Sequence, residues 1–215
     1  MKKSKLTLII VVILIFLVLL ILLINVARKT YILSKIINTS QEVSQSENYY
    51  WNLKLEGKEL STYRKGEKAL TIITEDSIKT TYFKNGETSN IYTESSEGKT
   101  AKLNEKTVSG FIEIPVLLTK DGIEPIFINA MQCKISDVTE DGKECYLIES
   151  SANDFIIHSS IEKTQLYIDK ETGLTVKLVE YDNNGKLFTT NYKYEFNTVT
   201  DEDLKEPNIN NYKVE

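Results

Sequence analysis

The sequence predicts a mainly β (α+β) domain behind one membrane-spanning helix, and three patterns indicate this fold class. Residues 6–24 form an unbroken apolar run. From residue 49 onward, apolar and polar residues alternate in short segments separated by turn signals, which is typical of antiparallel strands with one buried face. Residues 108–131 break this alternation with apolar residues at helical spacing, and such an insert needs a sheet face to cover.

Residues 1–29 are predicted to be a cytoplasmic tail and a transmembrane signal-anchor. The apolar run contains one polar side chain, Thr7, and a helix of its length spans about 28 Å, close to the ~30 Å hydrocarbon core of a bilayer. A cleaved signal peptide is the alternative. Its apolar region would be shorter, and a cut after Ala27 would need a small residue where Asn25 stands. We therefore favour an uncleaved anchor.

The charges around the run predict its orientation. Three lysines precede it (Lys2, Lys3 and Lys5), against Arg28 and Lys29 after it, and short tails with this bias usually stay cytoplasmic. We therefore predict a single-pass protein of the cell membrane whose carboxyl-terminal domain is extracytoplasmic. Lysine far outnumbers arginine and alanine is scarce, which indicates an AT-rich genome and, with this anchor, a Gram-positive bacterium.

The outer domain is acidic. Of the 26 basic residues, five lie in residues 1–29, so the remaining chain carries 21 basic and 31 acidic side chains and a net charge of −10. This balance excludes nucleic-acid binding through a basic surface.

Residues 30–48 are predicted to be a juxtamembrane amphipathic helix. Ile32, Ile36 and Val43 fall near one stripe, and Lys35 lies elsewhere. A stripe of this kind usually packs on the neighbouring domain, and a free stalk is the alternative.

The strands of the predicted sheet follow from residue 49. The first strand alternates over 49–56 and the clearest one over 188–197, and Asn85-Gly86 is typical of a tight hairpin because both central turn residues need positive φ. Other strands are predicted near residues 60–64, 69–74, 78–84, 89–93, 100–103, 133–138, 144–150, 155–159, 164–169 and 174–181. Residues 208–215 are polar and are predicted to form a loose tail.

The insert at 108–131 is predicted to form one or two short helices. Its apolar residues are spaced three to four apart, and its two prolines, Pro115 and Pro125, suit early helical turns. The apolar set comprises Phe111, Ile114, Leu117, Leu118, Ile123, Ile126, Phe127 and Met131.

No catalytic, metal or cofactor site is predicted. The single histidine, His158, lies in a strand-like stretch without a nucleophile at a recognisable spacing. The acidic residues from Asp137 to Glu144 resemble a calcium loop, but Thr139 and Ile148 stand where that loop needs oxygen ligands, so a charged hairpin turn is the better interpretation. We therefore expect a protein that is not an enzyme.

Cys133 and Cys145 flank the turn at residues 140–142. A symmetric hairpin would place them out of register, whereas a longer loop or a bulge near Asp137 would bring their Cα atoms within the ~4.4–6.8 Å of a disulfide. A structural disulfide, which we favour, and two buried thiols remain the alternatives.

The closing strands resemble a known family. The pattern consists of Leu166 to Leu174, Val176, Glu180 to Asp182, Gly185-Lys186, Tyr192 to Phe196 and Asp201 to Pro207. It resembles the outer-membrane lipoprotein carrier superfamily (the LolA, LolB and RseB group), which also includes periplasmic sensors that bind anti-sigma factors. The resemblance implies that residues 49–207 form a curved antiparallel half-barrel whose concave face is covered by short helices.

A half-barrel of this kind would present an apolar concave face as the candidate ligand contact. We assign to it Trp51, Leu53, Leu55, Phe111, Phe127, Tyr192, Tyr194 and Phe196. The first functional hypothesis is a membrane-anchored, non-enzymatic protein that binds a lipid or other amphiphile at the cell envelope. The alternative is a sensor or assembly partner that binds another envelope protein.

Overall fold

The structure is a computed structural model that describes residues 2–105, 113–118, 126–151, 161–182 and 184–215. A long helix, α1, spans Lys2–Ser44 and a short one, α2, spans Ile126–Gln132. The strands are β1 (Asn48–Leu55), β2 (Lys58–Lys65), β3 (Lys68–Glu75), β4 (Ile78–Asn85), β5 (Thr88–Ser95), β6 (Gly98–Glu105), β7 (Lys134–Glu140), β8 (Lys143–Ser151), β9 (Lys163–Asp169), β10 (Thr175–Asp182), β11 (Gly185–Phe196) and β12 (Lys213–Val214).

The strands form one open, curved sheet in the order β12-β6-β5-β4-β3-β2-β1-β11-β10-β9-β8-β7. All described pairs are antiparallel except β12 with β6. Tight turns connect β1 through β6. The hairpin predicted at Asn85-Gly86 forms with its turn one residue later, since Asn85 pairs with Thr88 and the central residues are Gly86, at φ +61°, and Glu87. The predicted fold class, a mainly β half-barrel behind an apolar amino-terminal helix, is confirmed.

The second half of α1 lies on the concave face of this sheet. Ile32, Leu33, Ile36 and Ile37 are at most 6% exposed, and their spacing places them on one stripe of the helix. These four residues pack against five others from β8, β9, β10 and α2, and we call all nine the helix cluster. The five are Ile148, Leu166, Ile168, Leu178 and Ala130. The amphipathic stripe therefore packs on the sheet, and the free-stalk alternative is wrong.

The chain after β11 covers the opposite face of the other half of the sheet. Thr71 pairs with Thr62, which lies opposite Trp51 on the concave side, so its neighbour Leu70 points to the convex face. Leu70 belongs to a separate buried group with Phe83, Tyr92, Ala101, Val199 and Leu204, flanked by Ile209 and Tyr212. This tail cluster is fixed by two phenolic hydroxyls that donate to carboxylates, Tyr92 to Glu206 at 2.5 Å and Tyr212 to Glu94 at 2.7 Å.

The last eight residues differ from the predicted loose tail. Ile209–Asn211 form a 3-10 turn, and β12 pairs with β6 through Lys213 and Val214. Polar composition predicts loose structure, but here Ile209 and Tyr212 supply enough apolar contact to hold the segment on the sheet.

The insert is described in part. α2 confirms a short helix at its carboxyl end, whereas Phe111 and Pro125 lie outside the described residues. The strand predicted at 155–159, which includes His158, also lies outside them.

Cys133 and Cys145 are both buried, and no disulfide joins them. Val138 pairs with Cys145 and Lys134 with Glu149, so the position opposite Cys133 is Ser150. Ser150 and Cys145 are about 16 Å apart along β8 at ~3.3 Å per residue, far more than a disulfide allows. The favoured disulfide is therefore wrong, because the hairpin is symmetric and contains no bulge.

We expect Gly173→Ala to destabilise the domain more than a matched glycine substitution. Gly173 has φ +68°, and a Cβ there would lie 2.6 Å from the carbonyl oxygen of Ile36 and 2.8 Å from the backbone nitrogen of Ser40. Gly66 has a similar φ of +59° with nothing within 4 Å of a Cβ. Both changes cost about 1 kcal/mol for the left-handed backbone, and Gly173→Ala should cost about 2–3 kcal/mol more.

Thermal unfolding of the full chain in detergent micelles, followed by circular dichroism, measures this difference. Equal losses for Gly173→Ala and Gly66→Ala would mean that the β9–β10 turn does not press against α1.

We also expect a pH-dependent contribution from Glu149 on the convex face. Its carboxylate accepts from Gln165 at 3.0 Å and pairs with Lys163 at 2.7 Å and Lys134 at 3.3 Å. The hydrogen bonds from Lys163 and Gln165 lower the pKa of Glu149 to about 2. Because the folded pKa lies below the unfolded value of ~4.3, the stabilisation is complete above pH ~4.3 and is lost as pH falls toward 2.

Glu149→Gln measures that contribution by difference from the wild type. Both lysines are substantially exposed, so we expect a loss of about 1–2 kcal/mol at neutral pH that shrinks as pH falls from 4.3 to 2. Glu144→Gln, at an exposed carboxylate, is the control and should change little. A loss of stability in Glu149→Gln that does not vary with pH would contradict the lowered pKa of Glu149.

Candidate functional site

The centre of the concave face is a row of aromatic side chains contributed by β1 and β11. Trp51 lies opposite Tyr194, and Tyr49 lies opposite Phe196. The rings of Tyr192 and Tyr194 stack in parallel with centroids 6.3 Å apart. We call these five residues the aromatic row. They share a face because alternate residues of a strand point to the same side.

Three other parts of the chain cover the aromatic row. Leu174 from the β9–β10 turn is 1% exposed, Ile114 from the segment 113–118 is 6% exposed, and Val43 near the end of α1 packs against the same group. The aromatic row therefore lines a covered interior, and the segments that pack against it come from distant points in the sequence.

The sequence-predicted lining residues do not all lie together. Trp51 and Tyr194 are buried in the row, and Leu53, Tyr192 and Phe196 pack half-buried against it. Leu55 is half-buried at the end of β1, and Phe111 lies outside the described residues. Phe127 is 51% exposed on α2, whose buried residues are Asn129 and Ala130.

The covered interior contains polar atoms that form no hydrogen bond with another described group. These atoms are Oη of Tyr194 and Oε1 of Glu180. Glu180 shares the concave face, since Leu178, two residues earlier, belongs to the helix cluster. Buried polar groups are normally hydrogen-bonded, so this interior keeps an unused donor and an unused acceptor.

The phenols of the row remain protonated at physiological pH. Burial raises the pKa of Tyr192 to about 12, with a smaller contribution from the charge of Glu180, and burial also raises the pKa of Tyr194 well above its usual value. The hydroxyls can therefore act as hydrogen-bond donors, but not as nucleophiles or bases. Sequence reasoning missed Glu180, because a polar residue in a strand is normally assigned to the wet face.

A cleft of about 790 Å³ opens beside the row at the end of the sheet where α1 meets β1. We call it the outer cleft. Tyr194 and Phe196 form its apolar side, and the β7–β8 and β9–β10 turns form its charged side. Lys143 pairs with Asp169 at 3.2 Å and Lys170 with Asp137 at 2.8 Å, so both cations of the cleft are held in place by carboxylates.

A second cleft, of about 550 Å³, lies at the same end of the sheet beside β2, β3 and β4. Its charged lining groups are four carboxylates and two cations: Glu47, Glu67, Glu87, Glu113, Arg64 and Lys84. The guanidinium of Arg64 lies 3.8 Å from Glu113 and 6.0 Å from the centre of the Tyr49 ring. This cleft is therefore acidic. Within the described ranges, no three His, Cys, Asp or Glu side chains form a potential metal site.

No protein-family model matches the chain, and no curated protein matches its sequence. A chain of the MucA–MucB complex of Pseudomonas aeruginosa is similar at 11% identity and TM-score 0.45, over 81% of this chain and 61% of that one. LprF of Mycobacterium bovis is similar at 10% identity and TM-score 0.45, over 81% of this chain and 95% of that one.

The matched structures also include a LolA superfamily protein of Nitrosomonas europaea, at 9% identity and TM-score 0.23, over 80% of this chain and 97% of that one. This is the superfamily that residues 166–207 resemble. The chain spans less than two thirds of the matched chain of the MucA–MucB complex. At these TM-scores the similarities carry no conclusion about function. The function is therefore inferred from the contacts within this chain.

We expect two substitutions of Tyr194 to have opposite consequences for stability. Tyr194→Ala removes a buried ring and should cost about 3–5 kcal/mol. Tyr194→Phe keeps the ring and removes a buried hydroxyl without a partner, so it should leave stability unchanged or raise it by about 1 kcal/mol. Chemical denaturation of the full chain measures both, and a large loss in Tyr194→Phe would show that the hydroxyl has a partner in solution.

Proposed function

We propose that the chain is a membrane-anchored, non-enzymatic binding protein that holds the apolar group of an amphiphile against the aromatic row through the outer cleft. The observation that carries this proposal is the cleft itself, with Tyr194 and Phe196 on one side and paired charges on the other. Its volume is within the range of about 300–1,000 Å³ that is usual for small-molecule sites.

The membrane anchor is supported by the first half of α1. Each side chain from Leu8 to Ile24 is at least 42% exposed, and the apolar window of the helix has a mean hydropathy of 3.7. Exposed apolar surface of this length needs lipid around it. The helix continues without interruption into the part that packs on the sheet, and Val26 already packs against the helix cluster. This continuity favours an uncleaved anchor. The three lysines before the apolar run favour an extracytoplasmic domain.

The chemistry of the outer cleft suits a ligand with an apolar tail and an ionic or polar head. The rings of Tyr194 and Phe196 supply apolar contact area, while Lys143, Lys170 and Glu171 supply charges of both signs at the rim. Small-molecule sites typically combine an apolar lining with a few polar groups that fix the orientation of the ligand.

A protein ligand is the second candidate, and two observations favour it. The interior beneath α1 is filled, because Leu33 and Ile37 are fully buried in the helix cluster. In addition, β7 is an edge strand among the described strands, where its one neighbour is β8, and such an edge can accept a strand from a partner. On this alternative the chain is a sensor or assembly partner of another envelope protein.

The proposal predicts that Phe196→Ala weakens the binding of a fluorescent fatty acid. The probe is dodecanoic acid with a dansyl group, titrated against the full chain in lipid nanodiscs. Because burying a Phe side chain contributes about 1.5–3 kcal/mol, we expect a loss of affinity of roughly tenfold or more.

Phe188→Ala is the matched control. Phe188 lies on the same strand and the same face as Phe196, is 46% exposed and does not line the outer cleft. It should bind the probe as tightly as the wild type. No binding by the wild type, or equal losses in both variants, would reject the outer cleft as an amphiphile site, and an envelope protein cross-linked to β7 in cells would then support the second candidate.

A further inference from the structure

The packing of α1 fixes the height of the domain above the membrane. Ile24 is the last residue of the apolar run, and Lys29 donates from Nζ to the carbonyl oxygen of Cys133 at 2.7 Å. Arg28 pairs with Asp137 at 3.4 Å. At ~1.5 Å per residue, Lys29 lies about 7–8 Å along the helix beyond Ile24. No linker separates the span from the domain, because α1 is one helix throughout.

The same helix fixes which end of the sheet faces the membrane. Cys133, at the start of β7, lies near Lys29, whereas Gly173 in the β9–β10 turn lies against Ile36 and Ser40. Ile36 and Ser40 are about 18–24 Å along the helix beyond Ile24. The start of β7 therefore faces the membrane, and the β9–β10 turn points away from it.

α2 lies at the membrane-facing end and exposes two large apolar side chains there. It ends at Gln132, directly before Cys133. Its inner side carries Ala130, which is fully buried in the helix cluster, while Phe127 is 51% and Met131 is 60% exposed. Residues four apart lie on the same side of a helix, so these two side chains form one exposed apolar surface.

The bilayer extends far enough to reach this surface. The polar headgroup regions add about 5–7 Å to each side of the hydrocarbon core. Cys133, bonded to Lys29 at about 7–8 Å beyond Ile24, therefore lies at the outer edge of the headgroup regions. The side chains of α2 beside it are within reach of this layer, where apolar and aromatic side chains are stabilised.

The charges agree with this orientation. Lys134 follows Cys133 directly, and its side chain is 77% exposed at the membrane-facing end. The acidic cleft, with four carboxylates and two cations, lies at the opposite end with the turns of Gly66 and Gly86. Lys134 pairs with Glu149 at 3.3 Å, so this end is close to neutral, whereas an anionic lipid surface repels the acidic cleft.

We propose that Phe127 and Met131 insert into the outer interface of the membrane that α1 crosses, so that the domain lies directly on the lipid surface with the outer cleft directed away from it. This inference rests on the membrane anchor of the proposed function. It assigns to Phe127 a contact with lipid headgroups in place of the concave-face role expected from sequence.

Depth-dependent quenching of tryptophan fluorescence tests the inference on the full chain. The protein is reconstituted into vesicles of phosphatidylcholine and phosphatidylglycerol, with or without bromine on the acyl chains. Met131→Trp and Phe127→Trp report on α2, Leu22→Trp reports on the span, and Glu171→Trp reports on the turn that points away. Trp51 is buried and common to all variants, so the wild type supplies the background.

We expect brominated lipid to reduce the added emission of Met131→Trp and Phe127→Trp, to reduce that of Leu22→Trp most, and to leave Glu171→Trp unchanged. If both α2 reporters behave like Glu171→Trp while Leu22→Trp is quenched, the docking proposal is wrong and the exposed pair is available to a protein partner. If Leu22→Trp itself is not quenched, the anchor of the proposed function is wrong and this inference fails with it.

Discussion

The packing of one helical stripe on the concave face of the sheet is the interaction on which the rest of the structure depends. Ile32, Leu33, Ile36 and Ile37 of α1 are almost completely buried, and each such side chain contributes about 1.5–3 kcal/mol. Their sum is of the same order as the ~5–15 kcal/mol net stability of a typical domain. The buried stripe of residues 30–44 is therefore part of the core, and the anchor and the domain form one rigid unit.

This constraint connects the fold to the proposed function. Because α1 enters the core within a few residues of its apolar run, the domain has little freedom to rotate or rise relative to the membrane. The helix covers the part of the concave face formed by β8, β9 and β10, whereas the outer cleft remains open at the far end beside Tyr194 and Phe196. A ligand in that cleft would be exchanged on the side away from the bilayer.

The sequence predicts most of the sheet and the apolar part of α1. Strict alternation places Trp51 and Tyr194 on one face, because a residue and its second neighbour in a strand always point to the same side. The length of the apolar run predicts α1, and the Asn85-Gly86 turn predicts its hairpin. These features are local, so pattern and turn chemistry are enough to identify them.

Features that depend on register or on distant contacts could not be predicted in this way. The symmetric β7–β8 hairpin separates Cys133 from Cys145, and sequence alone did not exclude a bulge. Glu180 is polar yet faces the covered interior, and the polar tail is held by Ile209 and Tyr212 against the opposite face of the sheet. Phe127 is a large apolar residue of the kind that usually lies in a core, but the buried residues of α2 are Asn129 and Ala130.

Amide hydrogen exchange on the full chain in nanodiscs, resolved along the sequence by mass spectrometry, tests the central claim most directly. If residues 30–44 are core, their amides open only when the domain unfolds, and they should exchange as slowly as the amides of β9 and β10. Fast exchange over residues 30–44 beside slow exchange in β9 and β10 would contradict the account, because α1 would then be a separate stalk.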